Sequence, residues 1–179
     1  MLEGMDLSRF DTMDTPELRS YLAFLLWHYR VVDAFWFIYM TEDYSLPEAE
    51  RLNERVWARV SGLAARDLVK RYAITEKGLQ GFLKVLRLYP WTLLLEYQIE
   101  ELPDEIVLSV PCCAIQQARR DKGFPEYACQ EMHRREFLGI AAHVEPRIDA
   151  QCDFAPPGER PEGLDCRWRF RMQLDNPAG

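Results

Sequence analysis

Cys129 and His133 stand four residues apart in YACQEMH, residues 127–133, and four residues is about one turn of a helix. Two donors so spaced share a helical face and can grip one ion. Three more cysteines suit the same chemistry: Cys113 after Pro111, Cys152 in RIDAQCDF and Cys166 in DCRWRF. Thiolates with an imidazole make an ordinary tetrahedral set for zinc or another thiophilic ion, and paired thiols can instead form a redox centre. The bland alternative is core packing, because free cysteine behaves as a small buried hydrophobe. No C-x-x-C spacing occurs, so the order of residues alone does not choose between them. The neighbours Cys112 and Cys113 point opposite ways if the chain there is extended.

A second group lies in YLAFLLWHYRVVDAFWFIYM, residues 21–40. Asp33 sits among Trp36, Phe37 and His28, and a carboxylate among aromatic rings is costly unless it is paired or used. Those four residues are candidates for an apolar ligand pocket with a few orienting polar groups. The simpler reading is core, with Arg30 and Asp33 paired three residues apart on one helical face.

These residues need elements to position them. Asp14 or Thr15 caps a helix with Pro16 and Glu17 in its first turn, running to about Asp43. Its aromatic content predicts burial on most sides, within the fold or at a subunit interface. Ser45 caps a second helix with Pro47 just inside; Leu52, Val56, Val60, Leu63 and Leu68 form its apolar stripe, and Arg51, Glu54, Arg55 and Arg59 face water. KGLQGFLKVLRLY is a third helix ending at Pro90.

The period then changes. Leu93, Leu95, Tyr97 and Ile99 alternate as in a strand, and DEIVLSV is a second strand after a Pro-Asp turn, ended by Pro111. EYACQEMHRREFLGIAAHV is helical, with Cys129, His133, Phe137 and Ile140 on its apolar stripe and His143 near its end. A hairpin closes the chain: Ile148, Ala150, Cys152 and Phe154 share a face, as do Cys166, Trp168, Phe170, Met172 and Leu174. This register sets Cys152 near Cys166 on the core face, under the helix that carries Cys129 and His133.

The chain has 179 residues, 48% hydrophobic and 12% aromatic, enough for one well-buried domain. The reading is an α+β fold: N-terminal helices packed with a mostly antiparallel sheet, one crossing helix and a C-terminal β-hairpin. Residues 1–90 form the helical part and residues 91–175 the cysteine-containing α+β part, together one compact domain. Net charge is -7, which disfavours both sequence-independent nucleic-acid binding and docking on anionic lipid, so no nucleic-acid partner is expected. Residues 21–40 are long enough to span a bilayer, but Arg30 and Asp33 near the middle argue against it. The N-terminus shows neither a basic n-region nor an apolar h-region, so a cytoplasmic setting is expected, where cysteine clusters more often bind metal or react than form disulfides. A glycine-rich phosphate loop, a G-x-S-x-G elbow and H-E-x-x-H are all missing.

SVPCCAIQQARRDKGFPEYACQEMHRREF, EPRIDAQCDFAPP, CRWRF and DAFWF resemble an uncharacterised prokaryotic family related to the aminothiazoline-carboxylate hydrolases. More distantly, the helix and late cysteine hairpin are similar to vinyl-reductase-like ligand-binding domains, some of which hold zinc through cysteines. The resemblance places the family cysteines on Cys113, Cys129, Cys152 and Cys166, and its D-x-x-W-F element on Asp33, Trp36 and Phe37. Many members carry C-x-x-C-P-P, whereas CDFAPP here has Ala155 at the second cysteine, so either His133 substitutes as a donor or the site is degraded.

The leading expectation is a cytoplasmic small-molecule-binding protein with a zinc-like or redox site at Cys113, Cys129, His133, Cys152 and Cys166. One alternative is a hydrolase in which a metal-activated water or a cysteine thiolate attacks a ring C=N carbon. Another is a non-catalytic homo-oligomer joined through the aromatic helix, with Trp36 in the interface.

Overall fold

The structure, a computed structural model, describes residues 5–173. Helix α1 spans Thr15–Asp43 and opens on a reciprocal cap. Asp14 accepts from the Glu17 amide at 2.8 Å, and Glu17 accepts from the Asp14 amide at 2.9 Å. Helix α2, Leu46–Arg71, starts on Ser45, whose hydroxyl accepts from the Glu48 amide, with Pro47 in the first turn. Helices α3 (Gly78–Leu88) and α4 (Pro90–Leu94) follow. Strands β1 (Gln98–Glu101) and β2 (Glu105–Val110) form the first hairpin, and α5 spans Ala114–Asp121. Helix α6, Gln130–Ala141, leads to β3 (Ile148–Phe154) and β4 (Cys166–Met172).

The four strands form one antiparallel sheet in the order β1-β2-β4-β3, so the architecture is α+β as the periodicities predict. Helix α6 crosses the buried face: Phe137 packs edge-on against Trp168 at 5.2 Å and Phe170 at 5.0 Å. Behind α6 lies α2. Gly139 makes this close approach possible, since a Cβ there would collide with the Ser61 hydroxyl and crowd the Ala58 carbonyl. One hydrophobic cluster runs from Phe37 and Trp57 through Phe82 to Trp168 and Phe170, joining the two halves of the chain.

Several expectations are corrected. The buried face of α2 is Ala49, Asn53, Trp57, Ser61 and Ala65, while Val56, Val60 and Leu63 are exposed. Small residues and one Trp let α6 approach, so the packing partner rather than side-chain hydrophobicity selects the face. Arg51, Arg55 and Arg59 do face water; Glu54 is half-buried and pairs with Arg135 at 2.9 Å. The alternating run after Pro90 begins as α4, because Pro90 starts a helical turn and the Thr92 hydroxyl donates to the Leu86 carbonyl at 2.9 Å; β1 begins only at Gln98. Helix α5 was not expected at all.

Helix α1 is not buried on most sides, since Phe37 is its one fully buried residue. It packs against α2 and α4. Among the described residues no helix is long and apolar enough to cross a membrane. The expected position of Leu174 lies outside the described residues.

Candidate functional site: two cavities beside Gln116 and Tyr127

Beneath α6 is a cavity of about 20 Å³, lined by Cys113, Cys129, Cys166 and His133 together with apolar groups including Tyr97 and Trp168. Three elements deliver these donors. Cys113 precedes α5, where its amide donates to Asp165 at 2.6 Å. Cys129 caps α6, one turn before His133, as the four-residue spacing implies. Cys166 opens β4, opposite Val110.

Cys152 is displaced from this group. Its cross-strand partner is Trp168, with an irregularity between Cys152 and Phe154, and it does not line the cavity. The continuous pairing from Ile148 with Met172 to Cys152 with Trp168 sets this register, and the irregularity falls only beyond Cys152.

A buried relay fixes the imidazole. His133 Nδ1 lies 2.8 Å from Glu136 Oε2, and the Tyr89 hydroxyl donates to Glu136 Oε1 at 3.0 Å. Glu136 is 2% exposed. Gln116 donates to the Tyr127 carbonyl at 2.9 Å and to the Cys129 sulfur at 3.7 Å. Burial pushes the Cys129 thiol up to about 12 and Cys152 up to about 11, and also raises Cys113 and Cys166. The thiols are therefore protonated at neutral pH, and all five cysteines are free. Among the described residues no group of three or more His, Cys, Asp or Glu side chains is arranged to hold a metal ion.

The second cavity is larger, about 340 Å³, between α1 and α5. Asp33, Phe37, Phe35 and Ile38 line it from α1, Ile115, Ala118 and Arg119 from α5, and Phe124 and Tyr127 from the loop beyond. Arg30 and Lys122 also border it. Arg119 is 9% exposed, and its guanidinium lies 5.6–5.8 Å from the ring centres of Phe37, Phe124 and Tyr127. Its Nε donates to the Pro125 carbonyl at 2.7 Å. No carboxylate among the described residues is within ion-pair distance of it.

Asp33 and Phe37 thus sit where a pocket was expected. The Arg30–Asp33 ion pair does not form; Asp33 turns inward and accepts from the Trp36 indole at 3.3 Å. Burial is the main reason its carboxyl rises to about 6, with the charge of Glu136 adding to the rise and the Trp36 and Trp57 indoles opposing it. Trp36 faces the body and does not line the cavity. His28 is exposed, stacked 6.0 Å from Phe24, and is likewise outside it.

Sequence reasoning missed Arg119, Lys122, Phe124 and Tyr127. In QQARRDKGFPEY nothing distinguishes Arg119 from Arg120; only the geometry of α5 does so. Arg120 turns outward to pair with Glu126 at 2.5 Å and Asp165 at 3.1 Å, and Arg160 joins the same two carboxylates. That network fixes the loop before β4 against α5.

Residues 21–172 match a family of unknown function, DUF6125, and the chain belongs to that family. No curated protein matches the chain.

Proposed function

We propose that this chain is a small-molecule-binding protein whose ligand is a flat, largely apolar acid seated between α1 and α5. The observation that carries this reading is Arg119, nine-tenths buried at an apolar cavity with no carboxylate within ion-pair distance among the described residues. A buried cation without a counter-charge is expensive, and a ligand carboxylate would supply that charge. The aromatic rings around it suit a planar ligand body, and the volume lies within the ordinary range for small-molecule sites. Arg30 and Lys122 add positive charge at the border; among the described residues Asp33 is the one acidic group in the lining, and Glu50 acts on Arg119 from beyond ion-pair distance. Five free thiols suit a reducing cytoplasm.

The test is calorimetric titration with benzoate, 1-naphthoate and indole-3-carboxylate, each against its neutral amide. At least one acid should bind about tenfold or more tighter than its amide, and Arg119→Met should abolish that preference. No preference for any acid over its amide would overturn the reading.

A second reading rests on the His133–Glu136 hydrogen bond. A carboxylate on one ring nitrogen is the usual support for a histidine that binds metal through the other. Cys113, Cys129 and Cys166 would complete a Cys₃His set for zinc or another thiophilic ion. The donor chemistry fits, but the side chains must draw together and the thiols must lose protons, so uptake should strengthen as pH rises. A site closed by four protein donors suits a structural or sensing role. Protonated thiols give no support to a cysteine-nucleophile hydrolase.

Elemental analysis of protein purified without chelator, paired with a thiol count, decides the point. Stoichiometric zinc with masked thiols supports the site. Metal-free protein whose thiols all react after unfolding returns them to core packing.

A further inference from the structure

The outward face of α1 is apolar and uncovered. Phe24, Leu25, Trp27, Val32, Phe35 and Tyr39 are each 42–55% exposed. Between Arg19 and Glu42 the formal charges on this helix are Arg30 and Asp33, and both border the cavity. A surface helix normally has the opposite arrangement, with charges outward. Tyr21, Leu25, His28, Val32, Phe35 and Tyr39 also recur at alternating steps of four and three residues. That is the repeat of a seam that packs against another helix.

We propose that a second copy of this chain covers this face, α1 against α1, antiparallel about a twofold axis near Arg30. The seam is symmetric about that position. Antiparallel pairing sets Tyr21 against Tyr39, Leu25 against Phe35 and His28 against Val32, so every seam residue meets another. In this register Arg19 falls beside Glu42 while Glu17 comes near Asp43, whereas parallel pairing would set both Glu42 and Asp43 against their own copies.

The area is sufficient. The exposed parts of Leu25, His28, Val32, Phe35 and Tyr39, with Phe24 at the edge, come to roughly 500 Å² per copy, or about 1,000 Å² for two, the least that a specific interface needs. A lipid surface fits less well. Helices that lie on membranes carry Lys and Arg along their polar edges, whereas this helix ends in Glu42 and Asp43 on a chain of net charge -7.

Light scattering with sedimentation equilibrium over about 1–100 μM tests the proposal. The wild-type chain should approach about 42 kDa, twice the 21.1 kDa of one copy. Val32→Glu with Tyr39→Glu should leave a monomer of unchanged helicity by circular dichroism. If that pair disturbs folding, Val32→Ser with Tyr39→Ser should still weaken dimerisation about tenfold or more. Leu93→Glu, at a site 64% exposed outside α1, should remain dimeric. A wild-type chain that stays at 21.1 kDa throughout overturns the proposal, as does a folded seam variant that keeps the wild-type mass. Flotation of a monomer with phosphatidylcholine–phosphatidylglycerol vesicles would do the same, by assigning the face to lipid.

Discussion

The cavity under α6 holds the reactive residue types, and the cavity beside α1 holds the unpaired charge. In the first, Glu136 engages both His133 and Tyr89, Gln116 reaches the Cys129 sulfur, and the free space suits about one water. In the second, a buried guanidinium has rings around it and, among the described residues, no carboxylate within ion-pair distance. The difference teaches that reactive types brought together are not in themselves an open site. Packing can satisfy them internally, whereas an unneutralised buried charge asks for something from outside.

The largest effect should come from removing the donors. On the zinc reading of the α6 cavity, Cys129→Ala with Cys166→Ala should abolish zinc uptake, by more than about a hundredfold in affinity, while leaving acid binding in the other cavity intact. Equal loss at both sites would merge the two cavities into one. Next is Arg119→Met, which should weaken the preferred acid about thirty- to a hundredfold without changing zinc affinity, both read by calorimetry. Glu136→Gln should lower zinc affinity about ten- to a hundredfold; an unchanged affinity would show that His133 is no ligand.

Asp33 offers a smaller effect with a defined sign. Its carboxyl stands near 6 in the fold against 3.8 for an ordinary aspartate. The native state therefore binds the extra proton between those values, and stability falls as pH rises through about 6. Asp33→Asn should raise stability at pH 7.5 by about 1–2 kcal/mol after solvent screening and leave it near wild type at pH 4, by denaturant titration. Acid binding should also tighten as pH falls through about 6 in the wild type, because protonation removes the like charge, and the same variant should flatten that dependence. The smallest effect is Cys152→Ser, which should alter zinc affinity less than about threefold, since Cys152 lies outside the cavity lining.

Much of the α6 site was legible because its signals are local. The four-residue step from Cys129 to His133 survives as one helical turn, and strand alternation turns Cys166 and Trp168 inward. Cys152 stands opposite Trp168 because β3 and β4 pair in continuous register from Ile148 to Cys152, and alternation fixes the face of a residue but not its partner. The α1–α5 cavity was half legible. Asp33 and Phe37 drew notice as a carboxylate among rings, but Arg119 did not, since the chain offers two adjacent arginines and only the packing of α5 sends one inward.

What the sequence by itself determined is what depends on neighbours a few residues away: the caps of α1 and α2, the hairpins and the shared face of Cys129 and His133. Tertiary structure alone decided which face of α2 is buried, which arginine is buried and which side of α1 is left bare. Those outcomes depend on how closely another element can approach, as Gly139 against Ser61 shows, and on where a long side chain finds a partner. Both are set by residues distant in the chain.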